Sequence, residues 1–193
     1  LHRVDRRQRQ MCIRDRRYNH TRNEVIKMLK EIEQRQSIRK YLNKPVEPEK
    51  ILELLKAAMN APTARNTQEW KFKVITNSQA LNDMTKLSPY TTMMKEAPCA
   101  ILVIADLNKA ISPEYGLINC SAAIENLLIE AVNQGLGCCW CGIAPVSERI
   151  EGFKNYYNLA DNEYPVGVVA IGYSNETKPL IDRFDSKNIS YFK

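Results

Sequence analysis

The chain has 193 residues, 44% of them hydrophobic, enough for one domain of ordinary size with a core of its own. Its formal net charge of +6 would suit nucleic acid or an anionic membrane, but the excess sits in residues 1–22, where Arg3, Arg6, Arg7, Arg9, Arg14, Arg16, Arg17 and Arg22 face only Asp5 and Asp15. The rest of the chain is neutral and contains no histidine, since His2 and His20 lie in the same segment; this argues against nucleic-acid or membrane partners and excludes a histidine base, shuttle or metal ligand from the body.

Residues 1–22 are Arg- and Gln-rich without hydrophobic period and are expected to be disordered. The run Arg6–Arg16 (RRQRQMCIRDR) resembles the translation of a sequencing adapter, a genuine basic arm being the alternative. Residues 23–193 are expected to form one domain. A helical pattern begins at Glu24, with Val25, Met28, Leu29 and Ile32 at three- and four-residue steps. After a loop through Pro45, Pro48 opens a second helix that places Ile51, Leu54, Leu55 and Ala58 on one face and should stop before Pro62. Trp70–Val74 alternates as a half-buried strand does, and Ser78 is expected to cap a short helix carrying Leu81, Met84 and Leu87.

Cys99–Ala105 is a continuous apolar strand, expected to be buried on both faces. Asn119–Gln134 reads as a central helix, apolar over much of its circumference and ended by Gly135 and Gly137. Cys138–Ile143 and Val166–Tyr173 read as strands with a helix, Ser147–Tyr157, between them, and the tail from Ser174 reads as an arm. No G-x-G-x-x-G occurs, so neither a dinucleotide fold nor a P-loop is supported, and the intermixed elements fit an α+β fold. The longest nearly apolar run, Ala97–Ala105, is too short to cross a bilayer, and no apolar stretch of a secretory signal follows the charged N-terminus; a cytoplasmic location is expected. The six cysteines (12, 99, 120, 138, 139, 141) are expected to be reduced.

Three segments could carry chemistry. Arg35-Gln36-Ser37-Ile38-Arg39 sets two guanidiniums beside a hydroxyl; in an extended segment positions 35, 37 and 39 share a side, which suits an anion such as a phosphate, though a solvated helix end reads the same way. Ala61-Pro62-Thr63-Ala64-Arg65-Asn66-Thr67-Gln68 offers amides that can both donate and accept, as the edge of a heterocycle requires, or is an ordinary turn. Gly135-Leu136-Gly137-Cys138-Cys139-Trp140-Cys141-Gly142-Ile143 would let backbone approach a flat ligand at Gly142. Cys138 and Cys141 form a C-x-x-C, but positions three apart on a strand face opposite sides, and no metal site is expected.

Together, R-x-S-I-R, A-P-T-A-R-N-x-Q-x-W, G-L-G-x-x-W-x-G-I-x-P, Val166–Tyr173 and Asp182-Arg183-Phe184-Asp185 resemble the nitroreductase family, from about Glu24 to Lys193. The resemblance implies FMN as cofactor, NADH or NADPH as electron donor, and a homodimer. It also implies an α+β fold with a central mixed β-sheet flanked by helices and an exchanged C-terminal arm. By resemblance, Arg35 and Ser37 belong to the FMN phosphate and ribityl site, with Arg183 joining at the phosphate; Gln36 is among the cofactor-binding residues, and Arg39 belongs to the N1–C2 edge of the flavin. Pro62, Thr63, Ala64 and Asn66 belong to the loop that a partner subunit lays against the ring, and Trp140, Gly142 and Ile143 to the strand end beside it. No side chain need be catalytic, since the flavin carries the redox chemistry; Arg39 would stabilise negative charge at N1. Two positions depart from the family's pattern: Glu69 replaces a usual proline, and Asn119 stands where short members often carry Asp. The implied reaction is ping-pong electron transfer from NAD(P)H to a nitroaromatic, quinone or similar small acceptor. Reductive dehalogenation, flavin breakdown and a non-enzymatic binding role are the alternatives.

Overall fold

The computed structural model describes residues 28–192; the expected disorder of residues 1–22, and Val25, lie outside them. The elements run α1 (Lys30–Gln34), α2 (Pro48–Met59), a 3-10 turn (Ala64–Asn66), β1 (Trp70–Ile75), α3 (Ser78–Leu87), a second 3-10 turn (Thr92–Lys95), β2 (Cys99–Asp106), α4 (Pro113–Asn133), β3 (Gly137–Gly142), α5 (Ser147–Tyr157), β4 (Glu163–Gly172) and a last 3-10 turn (Ser186–Asn188). The four strands lie in the order β1-β2-β4-β3 and pair antiparallel throughout. Among the described residues the expected mixed pairing is limited to one isolated parallel bridge, Ser37 with Cys138, on the outer edge of β3.

Alternation along β2 divides the interior. Cys99, Ile101, Val103 and Ala105 face α2 and α4, meeting Leu54, Ala58, Ala123, Ile124, Leu127 and Ala131. Ala100, Leu102 and Ile104 face α3 and α5, meeting Leu81, Met84, Met94 and Phe153. Every residue of β2 is buried, as its unbroken apolar run requires. In β4 the pairing with β2 shifts between Val103 and Ile104, stepping from Gly167 to Pro165 and leaving Val166 extra. That bulge returns Val166 to the α2/α4 core beside Val169 and Ile171, although Val168 and Ala170 face the other way. The Val166 carbonyl then accepts from the amides of both Ile143 and Ala144, at 3.1 Å each, which fixes the chain where β3 ends.

Several boundaries differ from the sequence expectation: among the described residues α1 starts only at Lys30, and β4 starts at Glu163, three residues before Val166. The cap of α3 is Asn77, whose side chain accepts from the Ala80 amide at 2.9 Å, not Ser78. Helix α4 begins at Pro113, six residues before Asn119; Ser112 caps it and Pro113 takes the position where a missing N–H costs nothing. Gly116, buried against Ala105 within the first turns, broke the helical signal there. The apolar residues Met28, Leu29 and Ile32 at α1 are exposed rather than packed into either core.

Candidate functional site

The pocket opens beside β3. The Arg35–Arg39 segment leaves α1 and runs along the outer edge of β3, with the Ile38 amide donating to the Cys138 carbonyl at 2.9 Å. Only glycine at 137 permits this approach, since a Cβ there would lie 2.8 Å from Ile38 Cγ2. Gly167 on β4 leaves room in the same way for the Trp140 indole, which a Cβ would overlap. The result is a pocket of about 350 Å³ lined by Arg35, Ser37, Glu125, Leu128, Cys138, Trp140 and Gly142. At Gly142 a side chain would meet nothing closer than the Ala144 carbonyl at 3.9 Å, so the strand end presents bare backbone.

Arg35 and Ser37 therefore stand on one side of a pocket whose other walls are β3 and α4. Arg35 Nε lies 3.7 Å from Glu125 Oε1, so the guanidinium already has a counter-charge. An aromatic edge, two donors and exposed backbone in one concavity suit a flat ring joined to an anion.

The structure brings only some of the expected site residues together. Arg35, Ser37, Trp140 and Gly142 meet in the pocket. Gln36 turns to the C-terminal segment, its Nε2 donating to the Pro179 carbonyl at 2.9 Å; the Arg39 backbone amide donates to Glu176 Oε1 at 2.6 Å, while the Arg39 guanidinium donates to the Ser37 carbonyl at 3.5 Å. Lys178 Nζ binds the same carboxylate at 3.1 Å and donates to the Ser37 carbonyl at 2.5 Å. These contacts hold the Glu176 carboxyl below its usual range, chiefly through the Arg39 amide. Ile143 is buried in the α3/α5 core. Pro62, Thr63, Ala64 and Asn66 form a separate loop that does not line the pocket of its own chain, and Arg183 is exposed on the arm.

The two residues that depart from the family's pattern meet beneath that loop. Glu69 is completely buried; its Oε1 accepts from Asn119 Nδ2 and its Oε2 from the Thr67 hydroxyl, both at 2.7 Å. Asn119 Oδ1 in turn accepts from the Ala64 amide at 3.4 Å.

Cys138 and Cys141 lie in different cores, Cys138 Sγ near the Leu128 carbonyl (3.8 Å) and Cys141 Sγ near the Tyr90 carbonyl (3.1 Å). Opposite faces of a strand cannot join two thiols, so the C-x-x-C spacing is packing. Burial pushes the Cys138 thiol up to about 12, and the Cys99 and Cys120 thiols likewise.

Glu125, Leu128, Glu176, Lys178 and Arg149 did not stand out in the sequence. Glu125 and Leu128, three apart on α4, carry a recognisable same-face signal. Arg149 donates to the Gly142 carbonyl at 3.2 Å and stacks over the Tyr90 ring at 4.8 Å.

A family model described as the nitroreductase family matches residues 32–92 and 86–173. A protein of Methanothermobacter thermautotrophicus named "Putative NADH dehydrogenase/NAD(P)H nitroreductase" is 36% identical, over 88% of this chain and 90% of its own. The crystal structure of a "Putative NADH Oxidase" from Clostridium acetobutylicum superposes with a TM-score of 0.82 at 40% identity, covering 84% of this chain and 99% of that one. An "FMN-dependent Nitroreductase" from Clostridium difficile superposes with a TM-score of 0.80 at 26% identity, covering 86% and 99%.

Proposed function

The chain belongs to the nitroreductase family, and from that membership we propose an FMN-dependent oxidoreductase that passes electrons from NADH or NADPH to a nitroaromatic, quinone or similar small acceptor by a ping-pong mechanism. The observation that carries the reading is the pocket itself, where Arg35, Ser37, Trp140 and the bare backbone of Gly142 converge. These residues fit FMN. Arg35 and Ser37 would hold its phosphate and ribityl chain, one by charge and one by hydroxyl, and Trp140 and Gly142 would bound the ring. Bound there, FMN would supply the redox chemistry, accepting hydride at N5 and returning electrons to the acceptor. Arg39, on the same segment, would place positive charge near N1, and the packed strands β3 and β4 would keep the pocket floor dry. Arg183 would reach the phosphate from the arm.

The working unit is a homodimer in this proposal. The arm exposes Leu180, Ile181, Phe184, Ile189, Tyr191 and Phe192, with Phe184 at 76% and Tyr191 at 82% of their full exposure. Six exposed apolar side chains within Leu180–Phe192 suit an exchanged segment, and the Thr63–Asn66 loop lies away from its own pocket, where a partner's flavin would meet it. The expected interface is on the order of 2,000 Å² or more. Among the described residues no helix is long and apolar enough to cross a membrane. A cytoplasmic site of action is part of the proposal.

The test is the absorbance spectrum of the purified protein before and after NADH or NADPH, with sedimentation on the same sample. Flavin absorbance at about one FMN per chain, bleached by either nucleotide, in a dimer is expected. A colourless protein that takes up no added FMN, or a monomer that keeps its FMN on dilution, overturns the corresponding part.

A further inference from the structure

The Thr63–Gln68 loop holds a costly conformation. Arg65, Asn66 and Gln68 have φ values of 55°, 56° and 47°, all non-glycine residues in the left-handed region. Such residues persist only when their surroundings over-determine them. Four hydrogen bonds do so. Within the loop, the Gln68 amide donates to Thr63 Oγ1 at 3.2 Å and Gln68 Nε2 to Asn66 Oδ1 at 2.8 Å. From below, the Thr67 hydroxyl is drawn to Glu69 Oε2 and the Ala64 amide points to Asn119 Oδ1. The base is rigid, because Glu69 also receives the Asp106 amide on its carbonyl at 2.8 Å and Asn119 sits inside α4.

The chemistry of this base is directional. Glu69 is a carboxylate and only accepts; Thr67 and Asn119 each have a proton to give it. Asn119 is the one residue that both donates to Glu69 and accepts from the loop amide, which an amide side chain can do and a carboxylate cannot. A carboxylate in place of the Asn119 amide would face Glu69 at hydrogen-bonding distance with no proton between them, at a position where Glu69 is out of contact with water. The identities at 69 and 119 are thus tied to each other.

We propose that Glu69 and Asn119 form an interdependent carboxylate–amide clamp that fixes the Thr63–Gln68 loop in the conformation that meets the flavin. They are positioning residues, acting through Ala64 and Thr67, and their role rests on the reading of this loop as a flavin contact. The clamp has a definite exchange symmetry. E69Q with N119D moves the carboxylate to position 119 and the amide to position 69, leaving size, shape and one negative charge as they were. In that double variant the side-chain amide at position 69 would donate to the carboxylate at position 119 and still accept from Thr67. The relocated carboxylate would accept from the Ala64 amide, as the Asn119 oxygen does in the wild type.

The experiment compares wild type, N119D, E69Q/N119D and T67V for FMN affinity, by titrating the deflavinated dimer, and for amide exchange at Ala64 and Gln68. N119D is expected to weaken FMN about tenfold or more and to speed exchange at both amides. E69Q/N119D is expected to restore both to within about threefold, and T67V to lose less than N119D. Should N119D be too unstable to isolate, recovery of a folded, FMN-binding E69Q/N119D carries the same conclusion. Wild-type affinity in N119D, a double variant no better than N119D, or faster exchange without any loss of FMN overturns the clamp. If wild type binds no FMN while exchange still follows the swap, the flavin reading has failed and the loop clamp alone stands.

Discussion

Two short segments are held in place in opposite ways. Arg35–Arg39 is tied to β3 at Ile38, and its flanking residues are fastened from outside, by Glu176 and Lys178 of the C-terminal segment, in contacts that water reaches. Thr63–Gln68 is fastened from beneath, by a glutamate with no exposure at all and an asparagine within the central helix. Exposed ionic contacts contribute little each and are screened by salt, whereas a buried hydrogen-bonded carboxylate contributes chiefly through the penalty for unpairing it. The residues flanking Ile38 in the first segment can therefore adjust to a ligand, and the second segment is set before any ligand arrives. That division suits a pocket that grips an anion flexibly on one side and offers a fixed loop to a ring on the other.

The largest expected effect comes from removing the charges that make the first segment a ligand site at all. R35A with R183A should weaken FMN about a hundredfold, since each charge-assisted hydrogen bond to a phosphate contributes roughly 1.5–3 kcal/mol and neither substitution touches a core. Titration of the deflavinated protein measures it. Retention of wild-type affinity would remove the phosphate from this pocket and leave the contrast between the two segments without a function.

The fold was legible where burial is uniform and the site where chemistry is local. Cys99–Ala105 declared itself by apolar continuity, and Ser147–Tyr157 begins and ends as its pattern implies. Arg35, Ser37, Trp140 and Gly142 could be named because each lies in a short motif with a chemical reason for its spacing. The start of α4 was missed because its cap and proline precede a glycine that packs on β2, a tertiary requirement that overrides the helical pattern. Glu125 shares a face of α4 with Leu128 three residues on, a spacing that marks the pair as neighbours but not the pocket they line. Glu176 and Lys178 lie in a tail without period, and their partners are about 140 positions away in the chain. The Glu69–Asn119 pair was visible only as two separate oddities until their 2.7 Å contact joined them.

A middle-sized effect should come from unfastening the first segment alone. E176Q removes the charge that holds the Arg39 amide and Lys178, and it should weaken FMN by about threefold, with the loss shrinking as KCl is raised. The pH dependence has a definite sign. Folding lowers the Glu176 pKa, so its contribution is complete above the ordinary glutamate range and fades as pH falls through the folded value. Wild-type FMN retention should therefore decline below about pH 4.5 more steeply than that of E176Q. Parallel pH curves for the two proteins would show that the segment is not held from outside.

The smallest expected effect runs in the favourable direction and separates the pocket's charge from its attachment. Glu125 stands 3.7 Å from Arg35 and lines the same pocket, so a phosphate entering there would meet a carboxylate as well as a guanidinium. In a site this open the two charges are partly screened, and their attraction amounts to a fraction of a kcal/mol up to about 1 kcal/mol. E125Q keeps the shape and a hydrogen-bonding oxygen for Arg35 while removing the repulsion toward an anion. FMN should bind about twofold more tightly to E125Q, and riboflavin, which lacks the phosphate, should bind unchanged. Equal tightening of both ligands would trace the effect to the pocket wall rather than to charge. Weaker FMN binding would mean that Glu125 serves by holding Arg35 in position, making this segment, like the loop above Glu69, one that is set before its ligand arrives.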